Sequence, residues 1–260
     1  MTAASRRLAR DTVLMAGRQL RVLRLNPGRL IYPLVQPLVL LVLFVSVLGD
    51  LTISRLPGGG SYREFLIPGI IIQNAALTAP TTGLSLLRDT GSGLADRFRS
   101  LPMSRAAVLL GRLASDAVIF AVQTVLLLGA ARLLGFRVGT GLAGLAGVVV
   151  VTVVFGLSIA TTSAWLALLV KDAETAERVL FFPAIAIAFV SSAFAPVGEL
   201  AGWMQPIARA NPVTAATGFL RSLASGGTPA VAPLLEIACW ATVLLLVPGI
   251  LAVRRWGAPS

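Results

Sequence analysis

Long apolar stretches alternate with short polar, arginine-bearing ones along the whole of this chain. Apolar runs occupy about residues 30–49, 66–86, 113–134, 142–170, 180–196 and 233–253. Each is close to the roughly 20 residues that an α-helix needs to cross a bilayer. The pattern predicts an all-α integral membrane protein with six transmembrane helices in one membrane domain, residues 30–256, followed by a short tail at 257–260.

The first run is preceded by a basic prefix, residues 1–29. On a helical wheel Arg10, Arg18 and Arg21 fall together, with Val13, Ala16, Leu20 and Leu23 roughly opposite and Leu14 and Leu25 spoiling the pattern. The prefix predicts an amphipathic helix lying along the cytoplasmic interface, or a basic tail that only fixes orientation. It is too long for the basic region of a signal peptide.

Composition strengthens the membrane reading: 56% of residues are hydrophobic and 13% charged, with a mean hydropathy of +0.86, against about 25% charged in an average soluble domain. The net charge of +11 would suggest nucleic acid in a soluble protein. Here the arginines cluster at the ends of apolar runs, where they act as topology signals beside lipid. Threading six spans from a cytoplasmic N-terminus puts Arg88, Arg97, Arg99, Arg105, Arg112, Lys171, Arg178, Arg254 and Arg255 on the side of the basic prefix. Only Arg55, Arg63, Arg132, Arg137, Arg209 and Arg221 fall opposite. By the positive-inside rule both termini are then cytoplasmic.

Several chemistries are excluded. A Walker A loop needs Gly-x-x-x-x-Gly-Lys-Ser/Thr to cradle phosphates, yet the only lysine, Lys171, is followed by Asp172. The chain has no histidine and one cysteine, Cys239, so histidine triads, His-rich metal sites and internal disulfides are ruled out. Asp50, Glu64, Asp116, Glu199 and Glu236 do not converge as an acid/base pair would have to. No carboxylate falls clearly at a membrane midplane, which argues against an ion-coupled secondary transporter; Glu236 is the exception to watch.

Two connections stand out. Residues 195–232 are only mildly polar and carry Pro196, Pro206, Pro212 and Pro229. Their apolar pieces are too short to span. They would either dip into the outer leaflet as a re-entrant segment or form an external loop on the membrane. Residues 96–105 read DRFRSLPMSR, charged and proline-broken where a bare turn would suffice. Residues 94–101 can form a short helix ended by Pro102, with Phe98 and Leu101 sharing one face among Asp96, Arg97 and Arg99. An aromatic flanked by arginines suits an interface.

Residues 64–69, EFLIPG, entering the second span, and the DRFRSLPMSR block after it resemble the permease subunits of ABC type-2 exporters, especially the daunorubicin/doxorubicin-resistance branch. The likeness covers essentially the whole chain, including Asn211 and Pro212 before the last span. It implies a bacterial cell-membrane half-transporter, itself not an enzyme. Such a permease pairs with a second copy of itself and two copies of a cytosolic ABC ATPase, which bind the ATP and Mg. It also implies that Asp96, Arg97, Phe98, Arg99, Leu101 and Pro102 form the coupling helix docked on that ATPase, and that the cargo is an amphipathic drug-like compound or lipid. Polysaccharide or complex-lipid export stays open.

Polar side chains inside a span face the bundle interior, where they bond other helices or meet a pathway. Gln73, Asn74, Thr78 and Thr81 of the second span, with Ser191 and Phe194 at the end of the fifth, are the candidate path residues. Helix packing is the competing role for most of them. Gly141, Gly144 and Gly147 would permit close helix approach in the fourth span.

Overall fold

The computed structural model describes residues 17, 21, 25–26, 28–48, 61–91, 105–170, 172–226 and 231–256. Every regular element among them is helical: α1 (Gly28–Leu48), α2 (Tyr62–Thr78), α3 (Pro80–Gly91), α4 (Arg105–Leu133), α5 (Gly141–Ala167), α6 (Ala173–Phe189), a 3-10 turn (Val197–Glu199), α7 (Gln205–Arg209), α8 (Pro212–Ala224) and α9 (Val231–Trp256). Among the described residues, four stretches are long and apolar enough to cross a membrane: Tyr62–Arg88, Leu109–Leu133, Gly141–Ala167 and Val231–Arg255. Within α1, Pro33–Val47 is a shorter apolar helix. The chain is a multi-pass helical membrane protein.

The second apolar run is two helices. Pro80 has no amide to donate and interrupts the ladder, so α2 ends at Thr78 and α3 starts at Pro80. The break is repaired from α5, where the Ser163 hydroxyl accepts from the Gly83 amide at 3.2 Å and donates to the Pro80 carbonyl at 3.1 Å. The helices approach so closely that a Cβ on Gly83 would lie 2.4 Å from the Ser163 carbonyl oxygen.

Two further boundaries differ from the apolar pattern, for one reason: polar residues that bond locally extend a helix beyond its apolar run. The helix over the third apolar run begins at Arg105 rather than near residue 113. The helix over the fifth begins at Ala173, because the Asp172 carboxylate accepts from the Thr175 amide at 2.7 Å and caps it. Glu174, Glu177 and Arg178 therefore sit on the first turns of α6, exposed, with Arg178 paired to Glu174. That helix ends at Phe189, so residues 190–196 lie beyond it.

Within residues 195–232, α8 is too short to span, yet it is packed inside the bundle against α2, α5 and α9. Val213, Ala216, Thr217 and Leu220 have no exposed surface. Buried non-helical backbone must find its hydrogen bonds within the protein, and two side chains of this segment supply them. Asn211 caps α8, its carbonyl accepting from the Val213 amide at 2.8 Å, while its amide donates to the carbonyls of Ile187 at 2.7 Å and Val190 at 2.5 Å. Arg221 donates to the carbonyls of Phe65 at 2.9 Å, Ser192 at 2.7 Å and Ala193 at 3.3 Å. The far end of α8 is held by the loop before α5, through the Gly139 amide to Ala224 and the Thr140 hydroxyl to Leu223, both at 2.8 Å.

α5 is the hub, packed against α2, α3, α4, α8 and α9. The three glycines at its start do not form a helix-approach stripe. Gly141 begins the helix at φ +65°, Gly144 abuts its own loop residues Thr140 and Val138, and only Gly147 meets another helix, at Leu223. The close approach comes later, at Gly156, where a Cβ would lie 2.8 Å from the Phe120 ring of α4.

Candidate functional site

Two polar stripes face each other inside this apolar bundle. Asn74, Thr78, Thr81 and Ser85 recur along α2 and α3 at spacings of four, three and four, the one-face repeat of a helix. Opposite, Arg112, Ser115, Asp116 and Gln123 form the matching stripe on α4. The stripes are bonded twice: the Thr82 hydroxyl donates to Asp116 Oδ2 at 2.8 Å, and the Asn74 amide donates to the Gln123 carbonyl at 3.2 Å.

Between them, and closed on the third side by the start of α1, lies a cavity of about 500 Å³. Its polar walls are Thr78, Thr81, Thr82, Ser85, Ser115 and Asp116, with Asn26, Arg88 and Arg112 added and Pro33, Ile119 and Phe120 as the apolar part. Asp116 is 4% exposed. Its Oδ2 accepts from Thr82 and lies 3.6 Å from the Nε of Arg112. The serine and threonine hydroxyls spend their protons on their own helices: Thr81 on the Thr78 carbonyl, Ser85 on Thr81 and Ser115 on Arg112, each at 2.7 Å. Their oxygen lone pairs stay available as acceptors.

The polar lining continues along the helix. A smaller space of about 80 Å³ shares Pro33 and Thr78 with the large cavity and reaches Gln36, Pro37, Gln73 and Asn74. The amide nitrogen of Gln73, one of its lining residues, is buried without a hydrogen-bond partner, as is that of Gln123 on α4, a costly state for a donor away from water. Pro37 adds an acceptor, since its missing N–H leaves the Pro33 carbonyl without a helical partner.

Of the path residues predicted from sequence, Gln73, Asn74, Thr78 and Thr81 fall on this seam. Thr81 is exposed and opens on the cavity, while the other three are buried. Ser191 and Phe194 are elsewhere: Phe194 accepts from the Tyr62 hydroxyl at 2.9 Å and packs on Phe44 and Phe189, and Ser191 donates to the Ala188 carbonyl. Tyr62 starts the helix that carries Thr78, about 24 Å away at 1.5 Å per residue. Both belong to the chain break after α6, where polar groups close the backbone. The coupling residues Asp96, Arg97, Phe98, Arg99, Leu101 and Pro102 lie outside the described residues, as do Arg10, Arg18, Leu20 and Leu23 of the basic prefix. Arg21 is exposed.

Sequence reasoning passed over Arg112, Ser115, Asp116 and Gln123. The signal was their helical spacing on the third span, which a search for carboxylate pairs does not register. It also read Arg221 only as a charge on the side opposite the basic prefix, and passed over its role inside the bundle, where it bonds the carbonyls of Phe65, Ser192 and Ala193 and stacks on the Phe65 ring.

Residues 10–224 match the family described as ABC-2 type transporter. This chain belongs to that family. The ABC-2 permease is 32% identical over 202 residues to a daunorubicin resistance ABC transporter permease protein of Streptomyces coeruleorubidus, covering 77% of this chain and 70% of the relative. It is 31% identical over 256 residues to a probable doxorubicin resistance ABC transporter permease protein of Mycobacterium tuberculosis, covering 97% of this chain and 91% of the relative. A putative transport permease of Pyropia yezoensis is 28% identical over 204 residues. The ABC-2 permease thus resembles drug-resistance transporters along nearly its full length, and its polar seam lies within the matched region.

Proposed function

We propose that this permease is the membrane half of an ATP-powered exporter in the bacterial cell membrane, moving an amphipathic drug-like compound or lipid outwards. The reading rests on the match to the drug-resistance permease of Mycobacterium tuberculosis along 97% of the chain. In it, residues 30–256 are the transmembrane domain, with six spans, and residues 1–29 a cytoplasmic basic helix. The tail, residues 257–260, and the N-terminus are both cytoplasmic, and α8 is the core of a re-entrant outer segment. Two copies of a cytosolic ABC ATPase bind ATP and Mg, and two copies of the permease form a homodimer among lipids.

The coupling element is residues 96–102, with Phe98 and Leu101 as apolar anchors and Asp96, Arg97, Arg99 and Pro102 shaping and charging the docking surface. Its position supports that role, because it connects α3 to α4, the two helices that carry the Thr82–Asp116 bond. A displacement of the connection would shift those helices against each other and reshape the cavity between them. The pairing of Asp116 with Arg112 also favours ATP-driven movement over ion coupling, which needs a carboxylate that can load and release a cation.

The test is the permease reconstituted with its ATPase, measuring cargo-stimulated ATP hydrolysis and export. Phe98→Ala and Arg97→Ala should uncouple hydrolysis from export while leaving the basal ATPase rate intact. Full coupling in both variants sinks the assignment of residues 96–102. Export that persists without the ATPase sinks the exporter reading as a whole.

A further inference from the structure

We infer that the cavity between α1, α3 and α4 is a head-group site for a neutral, hydroxyl-rich amphipath, a sugar or polyol bearing an apolar tail. The inference deepens the exporter reading and rests on it for the direction of transport, but the site is argued from its own chemistry.

Size comes first. At about 500 Å³ the cavity falls within the range of roughly 300–1,000 Å³ typical of small-molecule sites. Its walls are two-sided, with Ile119, Phe120 and Pro33 forming an apolar part next to the polar one. The adjoining space of about 80 Å³ adds Pro37, Leu40 and Leu77, an apolar surface against which a tail can lie.

Hydrogen-bonding capacity then narrows the head group. Because Thr81, Ser85 and Ser115 give their protons to their own helices, they meet a ligand as acceptors, and the Asp116 carboxylate adds a stronger one. Donors sit beside them, since the Arg112 and Arg88 guanidinium groups line the same cavity. A carboxylate oxygen adjacent to guanidinium donors complements a vicinal pair of hydroxyls, which must each give one hydrogen bond and receive one.

Charge decides against the alternatives. Asp116 and Arg112 neutralise each other at 3.6 Å, and Arg88 stands exposed at the rim. Among the described residues, an ammonium entering the cavity would meet two arginines for one carboxylate. A phosphate or carboxylate would meet Asp116 at the innermost wall, where removal from water makes like-charge contact most costly. A neutral polyol avoids both penalties and uses both partners.

The experiment measures binding by the full-length permease in phospholipid nanodiscs, with empty nanodiscs as the blank and tritiated octyl β-D-glucoside, below its micellar concentration, as the probe. Binding should saturate, and octyl phosphate and octylammonium should not displace the probe. Free glucose should displace it only at concentrations about tenfold or more higher than octyl glucoside itself, a gap of about one tail contribution. Asp116→Leu and Thr82→Val should each weaken binding about tenfold or more, and Thr242→Ala, on the exposed face of α9, should leave it unchanged.

Displacement by octylammonium or by octyl phosphate overturns the neutral head group. Equal displacement by free glucose overturns the amphipath. Unchanged binding in Asp116→Leu overturns the site. If Asp116→Leu fails to fold, the head-group series on the wild-type chain still decides. No ATPase is present in this assay, so a permease that binds octyl glucoside but exports nothing with its ATPase leaves the site standing and sinks only the exporter reading. Export without octyl glucoside binding does the reverse.

Discussion

The Arg221 guanidinium carbon lies 3.4 Å from the centre of the Phe65 ring, and its Nε donates to the Phe65 carbonyl at 2.9 Å. One side chain thereby ties α8 to the start of α2, and its outer nitrogens close the carbonyls of Ser192 and Ala193 after α6. Arg221→Met keeps the stem but strands the Ser192 and Ala193 carbonyls, at about 1–3 kcal/mol each. Its stability should fall by about 2 kcal/mol or more, read as a lower thermal midpoint of the monodisperse protein in detergent. Arg221→Lys should lie between, since an ammonium cannot reproduce the planar fork. A Met variant as stable as wild type would show that the chain break needs no donor.

Glycine substitutions separate packing from propensity. Cβ atoms on Gly69 and Gly83 would lie 2.2 Å and 2.4 Å from the carbonyl oxygens of Ala193 and Ser163. Backbone cannot yield as a flexible side chain can, so Gly69→Ala and Gly83→Ala should each destabilise by about 1–3 kcal/mol. Gly218, in α8, has open space where a Cβ would stand, so Gly218→Ala should stabilise by about 0.5–1 kcal/mol. Denaturation of the three variants side by side checks the contrast, and a destabilised Gly218→Ala would contradict it.

The Asn74–Gln123 bond is either glue or path, and a double substitution separates the two. Asn74→Leu alone strands the Gln123 side-chain carbonyl and should cost about 1–3 kcal/mol, whereas Asn74→Leu with Gln123→Leu removes both partners and should be nearly neutral. If the pair only packs helices, the double variant exports normally. A stable double variant that fails to export marks the pair as part of the path.

The cap of α6 carries a pH signature. The hydrogen bond from the Thr175 amide holds the Asp172 carboxyl below its usual range. A depressed native pKa means that the cap's contribution is complete above the unfolded value of about 4 and is lost as pH falls through the lower folded value. Hydrogen exchange in residues 173–177, corrected for intrinsic rates, should therefore be steady at neutral pH and quicken only below about pH 4. Asp172→Asn, an equally good cap without a proton to gain, should abolish that dependence. Asp172→Ala should exchange fast throughout.

How much of this was legible in the chain depended on whether a feature is local. The helical membrane architecture was, because apolar length follows from the thickness of a bilayer and needs no partner. The burial of Gln73, Asn74 and Thr78 was too, since a polar side chain on a spanning helix turns inwards whatever the details of the bundle. The start of α6 was not read correctly, although Asp172 and Thr175 make a cap three residues apart; charge suggested a loop where it marked a helix terminus.

The rest is relational. Ser191 and Phe194 looked like Thr78 and Thr81, polar or aromatic residues at a span, until the end of α6 at Phe189 left them in a chain break that packs against the first half of α2, at Tyr62 and Gly69. Asp116 looked isolated because its partners are Arg112, four residues earlier, and Thr82, 34 residues away. Arg221 read as a topology charge alone because nothing in its neighbourhood reveals carbonyls at Phe65 and Ser192. The sequence by itself determined that this protein crosses a membrane as helices, and it resembled the family to which the chain belongs. Only the tertiary structure decided which polar groups satisfy the backbone and which line a cavity, because a hydrogen bond is set by distance in space and apolar periodicity records only distance along the chain.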